Sequence, residues 1–515
     1  MSIHTTKTQA TVGLSAAAIS GTGWVTTQSL INKFATLFAM YVIARQLAPE
    51  EFAIASLTWA IGKFIVVLPP LTMGDLMIRH QSEFKQIAFV GRRLVFRIGI
   101  VITILIIVLS PFIAQFYNKY PFAILVGLIA VVSLRPTGEA MAVIPLSRLR
   151  LDLQYRTIAL IDGSVQFIST LATVVLAFMG AGAFSIVVPQ IATIIVKTSC
   201  YCFAVKKLNY ADSESVMEIG STVSKKLFRE FLTTGSAQYI HSMMDTLPII
   251  VLGRFASETQ TGFYGFAFQL AAQVNTIISF QLGLVLQPIF GRLKEDVARQ
   301  TAAFLRAVRA ISSIIVPFAL IQAALAEPLF LLVFNPEWKP ACEVFSILSI
   351  IEAIYFATAP TIALLKAQGR FRTYFMWQSA QLATSVFVYP LAATYSGAFG
   401  VAVAGAILWS ISLPCAVWLG TRNIAGTWWQ AIQVFIAPWT TALPIALLVY
   451  LLWRFLSPLG TPGMILSLGV VGPCCFAAAL LATRISQPAT FAEISPLIQK
   501  LISKSWKFFK NIIRQ

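Results

Sequence analysis

IGIVITILIIVLSPFIA, residues 98–114, contains no charged side chain and offers no polar face at either helical or strand spacing. Extended to 96–117, the run has the length at which a helix crosses a bilayer, about 20 apolar residues. A helix is the form such a run must take, because only a helix satisfies its own backbone hydrogen bonds within one segment when no water is present. The same reading, worked outward along the chain, marks 17–44, 50–72, 121–145, 157–179, 182–205, 230–253, 260–289, 307–334, 341–365, 373–394, 397–420, 432–455 and 462–483. The chain therefore reads as an all-α integral membrane protein with about fourteen transmembrane helices.

Composition agrees: 57% of the 515 residues are hydrophobic and only 11% are charged, against about 25% charged in soluble domains. The net charge of +18 would suggest nucleic acid in a soluble protein, but here loop placement accounts for it. Alternate connections, counted from the N-terminus, hold 28 of the 38 Lys and Arg residues, among them Arg92, Arg93, Arg148, Arg150, Lys225 and Lys226. The intervening connections hold five: Arg45, Lys119, Arg254, Lys339 and Arg454. Basic residues concentrate in cytoplasmic loops, so both termini are expected in the cytoplasm of a multi-pass inner-membrane protein, with no nucleic-acid partner. The polar N-terminus lacks an apolar leader region and is expected to be retained. The six cysteines form no metal-ligand spacing and no disulfide framework.

The sequence repeats itself. YVIAR (41–45) is echoed by IVLGR (250–254), SPFIAQFYN (110–118) by EPLFLLVFN (327–335), YRT (155–157) by FRT (371–373), and GAF (182–184) by GAF (397–399). The offset stays between 209 and 217 over a whole half. Each half contains an even number of spans, so the copies share one orientation and should be related by a pseudo-two-fold axis along the membrane normal. The expected organisation is a cytoplasmic N-terminus (1–16), a six-helix bundle (17–205), a cytoplasmic linker (206–229), a second six-helix bundle (230–420), two extra helices (421–484) and a tail (485–515). In that tail apolar residues recur at helical spacing opposite Lys500, Lys504, Lys507 and Lys510. This pattern predicts a basic amphipathic helix lying on anionic membrane lipids.

YVIARQLAPEEFA (41–53) closely resembles the stretch that ends the first helix of bacterial polysaccharide-biosynthesis flippases. These are the O-antigen and exopolysaccharide translocases of the multidrug/oligosaccharidyl-lipid/polysaccharide exporter superfamily. Met244-Asp245 through Gly253-Arg254, Leu329 through Asn335-Pro-Glu-Trp338, and Leu364 through Gly369-Arg370 resemble the family in the same order. The resemblance covers roughly 17–420. It implies two bundles around a central cavity and movement of an undecaprenyl-diphosphate-linked oligosaccharide from the cytoplasmic to the periplasmic leaflet, for O-antigen, capsule or exopolysaccharide export. It also implies as partners the polysaccharide polymerase and glycosyltransferases of the same pathway.

Ionisable residues at membrane depth usually face a cavity or a partner. The first half carries Lys33, Lys63, Arg97, Arg135, Glu139, Asp162 and Lys197; the second carries His241, Asp245 and Glu352. An anionic lipid diphosphate suits Lys and Arg through charge-assisted hydrogen bonds, so Lys33, Lys63, Arg97, Arg135 and Glu139 are the candidate cavity residues. Alternative roles stand beside these. Lys63 can snorkel to a headgroup, Arg97 can be an ordinary cytoplasmic charge beside Arg93, and Arg135 and Glu139, four apart, can neutralise each other. Gln281, with Gln269, Asn275, Gln378 and Gln381, can hydrogen-bond sugars or bridge helices. His241 and Asp245 share one helix face and are candidates for ion or proton coupling, as is Glu352, which can alternatively pair with Lys366.

No phosphate-binding loop, metal cluster or nucleophile signature is legible, and the external connections are short. Neither an enzyme nor a cofactor is expected. The alternatives within the superfamily are a multidrug or cation antiporter, which wants a buried acid in a first helix that here offers Lys33 instead, and a flippase for a peptidoglycan lipid precursor.

Overall fold

The computed structural model describes residues 28, 31–66, 84–152, 154–207, 236, 239–240, 242–293, 295–421 and 428–486. The N-terminal segment, nearly all of the 206–229 linker, His241 and the basic tail from 487 lie outside the described residues. Among the described residues there are helices and no strands. In chain order they are α1 (31–46), α2 (Pro49–Val66), α3 (Phe84–Phe116), α4 (Phe122–Val132), α5 (Arg135–Leu151), α6 (Tyr155–Phe178), α7 (Phe184–Lys207) and α8 (242–255). There follow α9 (Glu258–Arg292), α10 (Val297–Ala324), α11 (Ala326–Val333), α12 (Ala341–Ala357), α13 (Ala359–Ala367) and α14 (Phe371–Thr421). The chain continues through α15 (Trp428–Leu456), α16 (Thr461–Leu466) and α17 (Gly472–Ser486). Nine stretches among the described residues are long and apolar enough to cross a bilayer. On α3 the side chains of Val101, Leu105, Val108 and Phe112 point outward at helical spacing, the inverse of a soluble helix and the surface that lipid solvates.

Two predicted spans are interrupted. The run 121–145 becomes α4 and α5, broken at Ser133–Leu134 just before Arg135-Pro136. Pro136 lacks an N–H and crowds the preceding turn; Thr103 on α3 donates to the Ser133 carbonyl at 2.6 Å, satisfying a group the break frees. The run 341–365 breaks at Thr358, just before Pro360. The long α14 bends at Ser396 and Gly397 (φ 57°, ψ −136°), between the spans predicted at 373–394 and 397–420.

The chain divides into two compact units, Met1–Gly265 with Ala393–Gly397, and Phe266–Ala392 with Ala398–Gln515. In the first, α5 packs on α3 and α7, and α6 on α7. Gly99 lets the α3 backbone approach Pro136 and Thr137, where an added Cβ would lie 3.1–3.3 Å from backbone atoms. In the second, α10 is the hub. Ile311, Ile315, Val316, Ala319 and Leu320 pack on Ala353 and Phe356 of α12 and on Ala442 and Ala446 of α15. The Asn335-Pro-Glu-Trp338 stretch folds as a single 3-10 turn. It buries Trp338 completely, against Phe266 at a ring separation of 4.3 Å.

Within the first unit the starts of α2 and α9 carry the repeat into three dimensions. Pro49 opens α2, and Glu51 reaches back to accept from the Ala48 N–H at 3.2 Å, half of a capping box. Thr259, 209 residues after Glu50 and its counterpart in the repeat, donates to the Glu50 carboxylate at 2.6 Å. The contact joins two positions that the repeat offset makes equivalent. The paired GAF glycines agree, since Gly182 and Gly397 both adopt positive φ (53° and 57°). A Cβ on Gly182 would meet Glu51 at 2.7 Å, and one on Gly397 would meet Gln260, the Glu51 counterpart, at 2.9 Å.

The helix starts are held close by Gly262, where a Cβ would collide with the Pro49 carbonyl. A backbone carbonyl cannot swing aside as a side chain can. Gly262→Val should therefore cost about 1–3 kcal/mol, read as a lowered melting temperature of the detergent-purified chain. Gly291→Ala, which meets nothing, should leave it unchanged or raised.

Candidate functional site

In the first unit the break before α5 makes Arg135 the opening residue of a helix. Its guanidinium lies over the Trp59 ring of α2, 4.6 Å from the centroid, and its Nε donates to Glu139 at 2.6 Å. The side chain is 17% exposed, and Nη1 is buried with no hydrogen-bond partner among the described residues. Among the described residues Arg135 is thus half satisfied: one edge faces a carboxylate and the other keeps a donor. Buried polar atoms are nearly always paired, which makes this donor an exception among the described residues.

Lys63 follows Trp59 by one helical turn on α2 and is half-buried. Residues four apart share a helix face, so Lys63 and the ring carrying Arg135 lie on one face of α2. Lys33, half-buried, is on α1. Arg97 is exposed on α3. The remaining cation at this level, Lys197 on α7, is matched by Asp162 on α6 at 3.3 Å, to which Tyr201 also donates at 2.6 Å. On α1–α7 the predicted residues are thus five cations, Lys33, Lys63, Arg97, Arg135 and Lys197, and two carboxylates, Glu139 and Asp162.

Asp245 is half-buried on α8, while its predicted companion His241 lies outside the described residues. Glu352 is 6% exposed on α12, in the second unit. Gln281 falls within α9, but its side chain lies outside the described residues. Gln378 is fully buried on α14, and among the described residues both its amide atoms lack a partner. Its neighbour in sequence, Trp377, donates to Ser412 at 3.0 Å, and Gln381 is hydrogen-bonded to the same hydroxyl. The sequence had offered Trp59 and Tyr201 no role. Each is an aromatic at helical spacing that carries no signal until its partner's position is known.

A family model described as "Polysaccharide biosynthesis protein" matches residues 42–343, more than half of the chain. The chain belongs to that family. It is 22% identical over 95% of its length, and 99% of the other chain, to an uncharacterized membrane protein in the cps region of Klebsiella pneumoniae. It is likewise 22% identical to the succinoglycan biosynthesis transport protein ExoT of Rhizobium meliloti, over 84% of this chain and 85% of that one. Among solved structures, the lipid II flippase MurJ in an inward closed conformation superposes with a TM-score of 0.66 at 13% identity, covering 90% of this chain and 98% of that one. A multidrug resistance MATE family transporter of the MOP superfamily, inward-facing, gives 0.62 at 13% identity, over 76% and 94%. This member of the polysaccharide biosynthesis family therefore has the all-α fold of that exporter superfamily, and it is a multi-pass membrane protein.

The Arg135–Glu139 pair yields a test of its own. Glu139→Gln should destabilise the purified chain by about 1–3 kcal/mol, because it leaves the guanidinium uncompensated. Adding Arg135→Gln should recover much of that loss, since the pair is coupled. Strictly additive losses of melting temperature would contradict the pairing.

Proposed function

We propose that this protein flips a polyprenyl-diphosphate-linked oligosaccharide from the cytoplasmic to the periplasmic leaflet of the inner membrane by alternating access, with both termini in the cytoplasm. The observation that carries the reading is Arg135. In a family of polysaccharide biosynthesis proteins, it holds a buried donor without an acceptor among the described residues. A diphosphate supplies what that donor lacks, through strong charge-assisted hydrogen bonds.

In this reading Arg135 and Lys63 hold the diphosphate, with Lys33 on α1 joining them. Arg97, exposed on α3, draws the headgroup in from the cytoplasmic side. Glu139 fixes the guanidinium so that its free edge stays aimed at the ligand. Gln281 contacts the glycan. Asp245, with His241, and Glu352 are the coupling groups. The repeats at 17–205 and 230–420 are the two halves that alternate, helices within 421–484 stand outside them, and the tail from 485 rests on the cytoplasmic leaflet. Chemically, the reaction is binding and release with no bond made or broken, so no cofactor is invoked. The pathway's polymerase and glycosyltransferases are the natural partners on either side of the step.

A drug or cation antiporter is less well supported, because such a substrate wants carboxylates where this chain places Lys33, Lys63 and Arg135. A flippase for a peptidoglycan precursor shares the diphosphate and differs in the glycan.

The test is flipping in liposomes. The purified chain is reconstituted with a polyprenyl-diphosphate oligosaccharide, and access of an external lectin to the glycan is followed with time. Protein-dependent movement is expected, with Lys33→Ala and Lys63→Ala each slowing it at least about tenfold, a loss of about 1.4 kcal/mol of binding. Normal rates in both variants would remove the cationic site from the mechanism. No movement by folded wild-type protein under any imposed ion gradient would overturn the function.

A further inference from the structure

The connections at the opposite end from the basic loops enclose a second feature. Within the first unit, the starts of α2 and α9, the residues before α9, Lys119 and the bend of α14 line a cavity of about 710 Å³. That is the size range of small-molecule pockets, about 300–1,000 Å³. Its walls are built on fixed geometry: the Gly397 bend and the Glu50–Thr259 hydrogen bond.

Its chemistry differs from that of the Arg135 patch. Two carboxylates, Glu50 and Glu258, face it together with one ammonium, Lys119, and that ammonium already donates to the Ala256 carbonyl at 2.8 Å. Burial and the neighbouring Glu50 charge raise the Glu258 carboxyl above its ordinary range, Lys119 opposing them. The lining thus carries an excess of negative charge and repels phosphate. Hydrogen-bonding capacity is dense, from the carboxylates, the Gln260 amide and the Ser396 hydroxyl. At the rim stands Tyr395, 86% exposed, a rigid ring with an apolar face and a polar tip.

We infer that this cavity is a binding site for the uncharged saccharide portion of the translocated molecule. A sugar presents hydroxyls on its edges and C–H groups on its faces. Carboxylates accept the hydroxyls in pairs, the amide supplies both donor and acceptor, and the Tyr395 ring receives a C–H face. The distribution of basic residues puts these connections on the side the glycan reaches. The molecule then meets two sites of opposite sign, a cationic one for its diphosphate and an anionic one for its glycan. An open, aromatic-edged shape of this kind gives weak, fast-exchanging binding, suited to a glycan that must leave.

The inference rests on the transport reading for the choice of ligand, and its test needs no transport. The repeat-unit oligosaccharide is released by mild acid from the lipid-linked pool of the strain that encodes the chain. It is then titrated into detergent-purified full-length protein, with saturation-transfer NMR as the readout. Wild type should give saturable transfer. Tyr395→Ala and Glu258→Lys should weaken it about tenfold or more; Tyr395→Phe, which keeps the ring, should retain it; and inorganic diphosphate should not compete. No transfer to wild type, equal binding by Tyr395→Ala, or displacement by diphosphate would overturn the proposal. Binding without flipping in the lectin assay would instead count against the transport reading, and flipping without binding would count against the cavity alone.

Discussion

A guanidinium inside a helix bundle that lipid surrounds must have its donors met, because hydrocarbon offers no substitute for water. Arg135 meets this requirement on one side only. Glu139 accepts from Nε at 2.6 Å and Trp59 covers the plane, yet Nη1 has no acceptor among the described residues. Much of the first unit is arranged around keeping the residue there. The chain breaks at Ser133–Leu134 so that α5 begins at Arg135, Thr103 closes the carbonyl left by the break, and Gly99 lets α3 approach.

The charge pattern separates two kinds of buried ion. Lys197, Asp162 and Tyr201 form a closed set, with contacts of 3.3 and 2.6 Å; its members tie α6 to α7 and need no ligand. Lys63 shares one face of α2 with Trp59, the ring that carries Arg135 of α5. The distinction is geometric and depends on which helices pack side by side.

Much of this was legible in the sequence. The run at 98–114 and its kin set the fold class, and the Arg45/Arg254 echo supplies the offset that pairs Glu50 with Thr259. Glu50 and Thr259, matched by that offset alone, touch. The helix break inside 121–145 was less legible, because apolar segments carry no periodic signal and Pro136 within a membrane helix is ordinary. Nor could spacing show that Trp59 lies under Arg135, or that Glu50, Lys119, Glu258 and Tyr395, drawn from four separate connections, line one cavity. Long-range pairing of that kind is set by packing and leaves little trace in local pattern.

The measurement closest to the central claim is ligand retention by the purified protein. Wild type and Arg135→Gln would be incubated with a polyprenyl-diphosphate oligosaccharide and with its monophosphate analogue, and the bound species read by native mass spectrometry. The account predicts that wild type retains the diphosphate over the monophosphate and that Arg135→Gln loses this preference while staying folded. Equal retention of both lipids by wild type, or an unchanged preference in Arg135→Gln, would contradict it.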